Sequence, residues 1–294
     1  TGDETVLHER IIPFADASVR FFESISPRRD ENGRMIMDQA NALETWWETT
    51  NNAPDVAGLH HVLNRLIALP EKMTTEDQRK YWMNLRQILP EIPVGEVAVK
   101  NGKIVEDPQA DPDVTMVRML LPAEKYSHKG NIETPELCSV FPYPLYGLGH
   151  STPEELELAR TTFRYRRDPL YRGWGYDEIL AAHLGLTEDA ANGLAKRFDT
   201  WADGFRFPAF WGPNFDWIPD QDHGCSGMIA LQSMLMQTTE DGKILLLPAW
   251  PQTWNVEFRL HAPYGTVVEG RWTDGEIREL KVTPESRKKD LVLP

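Results

Sequence analysis

The spacing of apolar residues changes once along this chain, and that change constrains the fold more than any other feature. Up to Gln237 most apolar side chains recur at helical spacing, and beyond it they alternate as in a half-buried strand. Glu4 to Ser26 places Leu7, Ile11, Phe14, Val19, Phe22 and Ile25 on a helix interrupted near Pro13. A second helix is predicted from Asp55 to just before Pro70, and a third from Thr74, with Asp77 as its capping partner. Thr152-Pro153-Glu154-Glu155 supplies an N-cap, a proline at the first helical position and a capping-box glutamate. Tyr176 to Leu184 and Thr187 to Trp201 read as a helix pair joined at Gly185, and Met228 to Gln237 as a further helix. Past the switch, Lys243–Leu247, Val256–Leu260, Thr266–Trp272 and Ile277–Val282 read as strands, the last two joined by Asp274-Gly275. Val97 to Val105, around Asn101-Gly102, is a small hairpin inside the helical part, and Asn41 to Asp55 reads as polar, aromatic and irregular. The expected fold is therefore mainly α: helical hairpins over 1–239, then a small β domain over 240–294 that packs on the helices through Trp250 and Trp254.

Composition narrows the function classes. A chain of 294 residues can bury an ample core, and its formal charge of −14 with no basic run argues against a nucleic-acid partner. No apolar run is long enough to span a membrane. Cys138 and Cys225 could make at most one disulfide, so compartment cannot be read from them. No phosphate loop, nucleophile elbow or dinucleotide motif is present, and no cofactor is expected.

The richest chemistry lies between Arg206 and Gly227. Asn214, Asp216, Asp220, Asp222 and His223 crowd together there with Trp211 and Trp217, in a run broken by glycine and proline that reads as a shaped loop. Flat indoles beside hydrogen-bonding carboxylates suit a sugar, and a solvated acidic loop over core aromatics suits the same residues. Asp216, Asp220 and Asp222 could also hold calcium, although their spacing is not that of an EF-hand and no metal site is expected. Glycoside hydrolysis needs a second carboxyl set against apolar surface, and Glu44 is followed at once by Thr45-Trp46-Trp47. Asn51 and Asn52 could bind sugar hydroxyls or serve as turn residues before Pro54. Of His60 and His61, one is expected buried and the other wet, and Arg164, Arg166 and Arg167 are expected on a solvated helix end.

Glu44 and Asp222, with Gly33, Gly173-Trp174 and Met234-Leu235-Met236-Gln237-Thr238 in matching order, give the chain a resemblance to the family 95 glycoside hydrolases, the inverting α-L-fucosidase group. The resemblance covers nearly all of the sequence and implies the later part of a longer chain: a partial (α/α)6 toroid followed by a β-sandwich-like domain. It implies Glu44 as general acid, eleven residues after Gly33, and Asp222 as catalytic base. Trp46, Trp174 and Trp217 would face the sugar, with Asn51, Asn52, Asn214, Asp220 and His223 on its hydroxyls. The implied substrate is a terminal sugar of an oligo- or polysaccharide, the implied compartment periplasmic or secreted, and residues upstream of Thr1 would complete the site. The sequence departs from the family where Ala42-Leu43 precede the acid and where His223-Gly224 follow the Asp. Those departures leave the sugar open. A toroidal epimerase or lyase leaning on His223 and a carbohydrate-binding protein without turnover are the alternatives.

Overall fold

The computed structural model describes residues 2–107, 109, 113–199 and 221–293. The described residues form two compact units. The first comprises residues 3–145 and 157–168, and the second residues 146–156 and 169–294 with the extreme N-terminus.

The core of the first unit is built by α1 (Ile12–Ile25), α2 (Ala53–Ile67) and α3 (Glu76–Ile88). Their apolar stripes bring Ile12, Val19, Leu59, Leu63, Trp82 and Leu85 into one cluster. Asn52 caps α2, its Oδ1 accepting from the Asp55 N–H at 3.0 Å. The cap of α3 lies one residue later than the sequence suggested. Thr75 Oγ1 accepts from Gln78 N–H at 3.2 Å while Gln78 Oε1 accepts from Thr75 N–H at 2.9 Å. Gln78, longer than Asp77, closes a full capping box there. Indole Nε1 of the fully buried Trp82 donates to Asp16 at 2.7 Å, tying α3 to α1.

Two sheets complete this unit. One runs β1 (Ala40–Ala42), β2 (Trp46–Asn52) and β6 (Ala123–Lys125) in that order. The other runs β4 (Lys103–Ile104), β3 (Val94–Lys100) and β5 (Thr115–Leu120), all pairs antiparallel. Asn101 and Gly102 turn the β3–β4 hairpin at φ of 51° and 77°, the left-handed pair that the Asn-Gly signal demands.

The second unit holds α4's first turn (α4, Pro153–Tyr165), α5 (Asp177–His183), α6 (Thr187–Phe198) and α7 (Asp222–Leu235). Thr152 and Glu155 form the reciprocal box at the start of α4 that the sequence announced. Helix α7 starts six residues before the predicted Met228. It also stops sooner, because Met236–Thr238 is a strand, β7, paired with β8 (Ile244–Leu246). A short β12 (Leu291–Val292) adds to β8 in parallel. The other sheet is the antiparallel meander β9 (Val256–Ala262), β10 (Thr266–Thr273) and β11 (Glu276–Thr283), with Asp274 and Gly275 at φ of 53° and 76° in its last turn.

The mainly α expectation, a partial (α/α)6 toroid with strands confined to a small terminal domain, is corrected by this structure. The described structure is 40% helix and 23% strand, with four small sheets among the described residues, an α+β mixture. Two of those sheets lie wholly before residue 130, in the part expected to be helical hairpins. The stretch passed over as irregular, Trp46-Trp47-Glu48-Thr49-Thr50, is rich in aromatic and β-branched residues, which pack well on a pleated surface. No helix among the described residues is long and apolar enough to cross a membrane.

Candidate functional site

The tight turn between β1 and β2 carries Glu44, whose side chain is exposed. Its backbone is fixed from below: Glu133 Oε2 accepts from the Glu44 N–H at 3.0 Å and from Thr45 Oγ1 at 2.8 Å. Strand alternation then separates the two indoles. Trp46 points inward, only 5% exposed, with its ring 4.6 Å from that of Tyr126 and the Arg167 guanidinium 5.2 Å over it. Trp47 points outward, 40% exposed, and lies flat against His128 at 6.0 Å and 6° between planes. The turn that carries Glu44 therefore leads into an exposed aromatic stack of Trp47 on His128. Trp46, the indole expected to face a sugar, is buried, and the alternation of β2 leaves Trp47 as the exposed one of the pair.

Gly130 holds this arrangement close. A Cβ there would overlap Trp47 Nε1 and come within 3.2 Å of the Glu44 carbonyl oxygen. Gly130→Ala is expected to push Trp47 off His128 and to cost about 1–3 kcal/mol, the usual penalty of overpacking. Chemical denaturation followed by tryptophan fluorescence reads both effects, and unchanged emission and stability would show the contact to be slack.

Asn51 and Asn52 follow on the same strand, and both amides are committed to the fold. Asn51, at φ of 51°, accepts from the Met37 N–H at 2.9 Å and donates to Glu124 at 2.7 Å. Asn52 caps α2 and donates to Asp55 Oδ2 at 2.8 Å. Both are buried. Of the paired histidines, His60 is buried with Nε2 against the Pro90 carbonyl at 2.8 Å, whereas His61 is half-buried beside Tyr143.

One carboxyl in this unit escaped the sequence reading. Glu136 sits in a 3₁₀ turn, Pro135–Leu137, buried, with no hydrogen-bond partner for Oε2. Burial pushes it up to about 7; the nearby Asp168 adds to that, while a backbone bond and the charges of Arg167 and Lys129 oppose it. The signal was a lone carboxylate inside the apolar run Pro135 to Phe141. The arginines behind it are less solvated than expected. Arg166 is buried against Phe163, and Arg167 pairs with Glu106.

The second unit gathers Trp174, Asp222 and His223. Asp222 is exposed at the first position of α7, where a carboxylate meets the positive end of the helix dipole. His223, next to it, is fully buried. Its Nδ1 accepts from the Gly173 N–H at 3.2 Å and its Nε2 lies 2.8 Å from the Arg197 carbonyl. These bonds define a neutral ring protonated at Nε2 that ties the Trp174 loop to the first turn of α7. Arg197 completes the anchor by donating to the carbonyls of Gly173, Gly175 and His223 while pairing with Glu178. Trp174, half-buried, is held between two pinned glycines.

Asn214, Trp217 and Asp220, and with them Asp216, lie outside the described residues. Among the described residues no cluster of three or more metal-ligating side chains occurs. Glu44 belongs to the first unit and Asp222 to the second, so neither unit by itself contains the expected pair. No protein-family model matches the chain, and no curated protein matches it.

Proposed function

We propose that this chain is a glycoside hydrolase, distantly related to family 95, that removes a terminal sugar from an oligo- or polysaccharide with inversion. The observation that carries the reading is the exposed Trp47, stacked on His128, on the strand that follows Glu44, whose backbone is fixed by Glu133. An aromatic plane takes the apolar face of a sugar ring, and a carboxyl on the adjoining turn reaches an oxygen at the ring's edge. In this reading Glu44 gives a proton to the leaving oxygen, and a second carboxyl, the part that the resemblance gives to Asp222, takes one from the attacking water. The solvent exposure of Glu44 favours a second reading, a carbohydrate-binding protein with the same surface and no turnover.

Glu44→Gln and Asp222→Asn are each expected to lower kcat on aryl glycosides by about 10²–10⁴-fold. Trp47→Ala is expected to raise KM with a smaller change in kcat. Proton NMR of the fresh product should show the anomer opposite to that of the substrate. Full rates in both carboxyl variants, or retention of configuration, would overturn the hydrolase reading. Sugar binding by the wild type without hydrolysis would establish the second.

A further inference from the structure

The turn after β8 carries two indoles locked to each other. Trp250, buried, donates from Nε1 to the Trp254 carbonyl at 2.9 Å, and the two rings meet edge to face at 5.5 Å and 84°. The Trp254 N–H in turn bonds the Pro251 carbonyl at 3.1 Å, so Trp254 stands on a closed turn with its ring half-exposed. Across from this turn α6 presents Glu188, Ala191, Asn192 and Ala195, positions that share one helical face. The sequence suggested that Trp250 and Trp254 pack against helices; the structure leaves a groove of about 650 Å³ between them and α6. That volume is in the range of ligand clefts, which run from roughly 300 to 1,000 Å³. A neighbouring hollow of about 600 Å³, reaching Lys196, Phe198 and Asp199, shares Asn192 and Ala195 with it, so the depression continues along the helix.

We infer that this groove binds a neutral oligosaccharide, with Trp254 stacking on one ring and Asn192 and Gln252 bonding its hydroxyls. The small side chains of Ala191 and Ala195 let a ring approach the helix. Asn192 and Gln252 each offer a donor and an acceptor, the combination that vicinal hydroxyls satisfy. Glu188 and Asp199 line the two hollows and repel an anionic ligand, while Lys196 lies 5.1 Å over the Tyr171 ring. The elongated depression suits several linked sugars better than one. All of these residues lie within the second unit, and none has a part in the proposed hydrolysis.

Native affinity electrophoresis in gels containing barley β-glucan, xyloglucan, amylopectin or polygalacturonate tests this with the full chain. At least one neutral polymer should retard the wild type and polygalacturonate should not. Trp254→Ala and Asn192→Ala should each weaken retardation about ten-fold, judged by the polymer concentration needed. Asn192 is an exposed helical position where alanine is the better helix former, so that variant folds even where Trp254→Ala does not. Retardation by no neutral polymer, equal retardation by polygalacturonate, or undiminished retardation of Asn192→Ala overturns the inference. Binding here needs no turnover, so loss of the hydrolase reading through Glu44 and Asp222 would leave this result standing, and the reverse holds.

Discussion

Arg197→Met is expected to destabilise the protein by about 3–5 kcal/mol, the cost of removing one partner from a buried ion pair. Arg197 and Glu178 are both 0% exposed at their side chains, and they are in direct contact. Burial pushes the Glu178 carboxyl up and the guanidinium opposes that, so the charge on Glu178 is tolerable only while Arg197 is present. Its Oε2 has no other hydrogen-bond partner. Methionine would fill much of the volume but leave the carbonyls of Gly173, Gly175 and His223 without this donor. The loss should shrink at low pH, where Glu178 becomes neutral. Glu178→Gln added to Arg197→Met should recover part of it, because the stranded charge is then gone. Urea unfolding of the two single variants and the double variant at pH 5 and pH 8 measures each term. A change under about 1 kcal/mol for Arg197→Met would mean that the pair is solvated and that the Trp174 loop is anchored by His223 alone.

The same cluster shows which parts of the molecule could be read from the sequence. Local signals held wherever a short stretch of chain determines its own geometry. Asn101-Gly102 and Asp274-Gly275 turn hairpins because both positions need positive φ, and Thr152 with Glu155 starts a helix because two orphan donors are satisfied within four residues. Signals that depend on partners far along the chain did not show. Arg197 is an ordinary basic residue in the last turn of a helix until α7 and the Gly173 loop close over it. Asn51 and Asn52 offered a sugar site and a turn equally; in the structure Asn51 bonds Met37 and Glu124 from strand β2, and Asn52 caps α2. The strands β1 and β2 were missed for a related reason. The partner of β2 on its other edge, β6, lies more than seventy residues on, and the β1–β2 turn carries no Asn-Gly or Asp-Gly signal. At Glu44 the sequence shows the carboxyl and two adjacent indoles, but which indole is exposed, Trp47 and not Trp46, depends on the phase of β2.

Glu136→Gln is expected to flatten the stability–pH profile between about pH 4.5 and pH 7. The wild-type carboxyl is buried in the turn Pro135–Leu137 and pushed from 4.5 to about 7, chiefly by desolvation. A carboxyl raised on folding binds its proton more tightly in the native state. Its stabilising contribution is therefore complete below its unfolded pKa and is lost progressively as pH rises through the folded one. At about 1.36 kcal/mol per unit, the shift corresponds to a fall of about 3 kcal/mol by pH 8. Glutamine keeps the shape and cannot ionise. It should therefore match the wild type near pH 4 and exceed it by about 3 kcal/mol at pH 8, with every other titrating group cancelling in the comparison. The charges around the turn set the direction of a further variant. Lys129, which pairs with Asp168, holds the Glu136 pKa down, so Lys129→Met should raise it and steepen the wild-type loss at neutral pH. Urea midpoints of the three proteins across pH 4–8 decide the matter. Parallel curves for wild type and Glu136→Gln would show that water reaches the carboxyl and that its proton plays no part near neutrality. A steeper curve for Lys129→Met, with the glutamine variant flatter than wild type, would mark Glu136 as a proton-holding group among the charges of Arg167, Asp168 and Lys129.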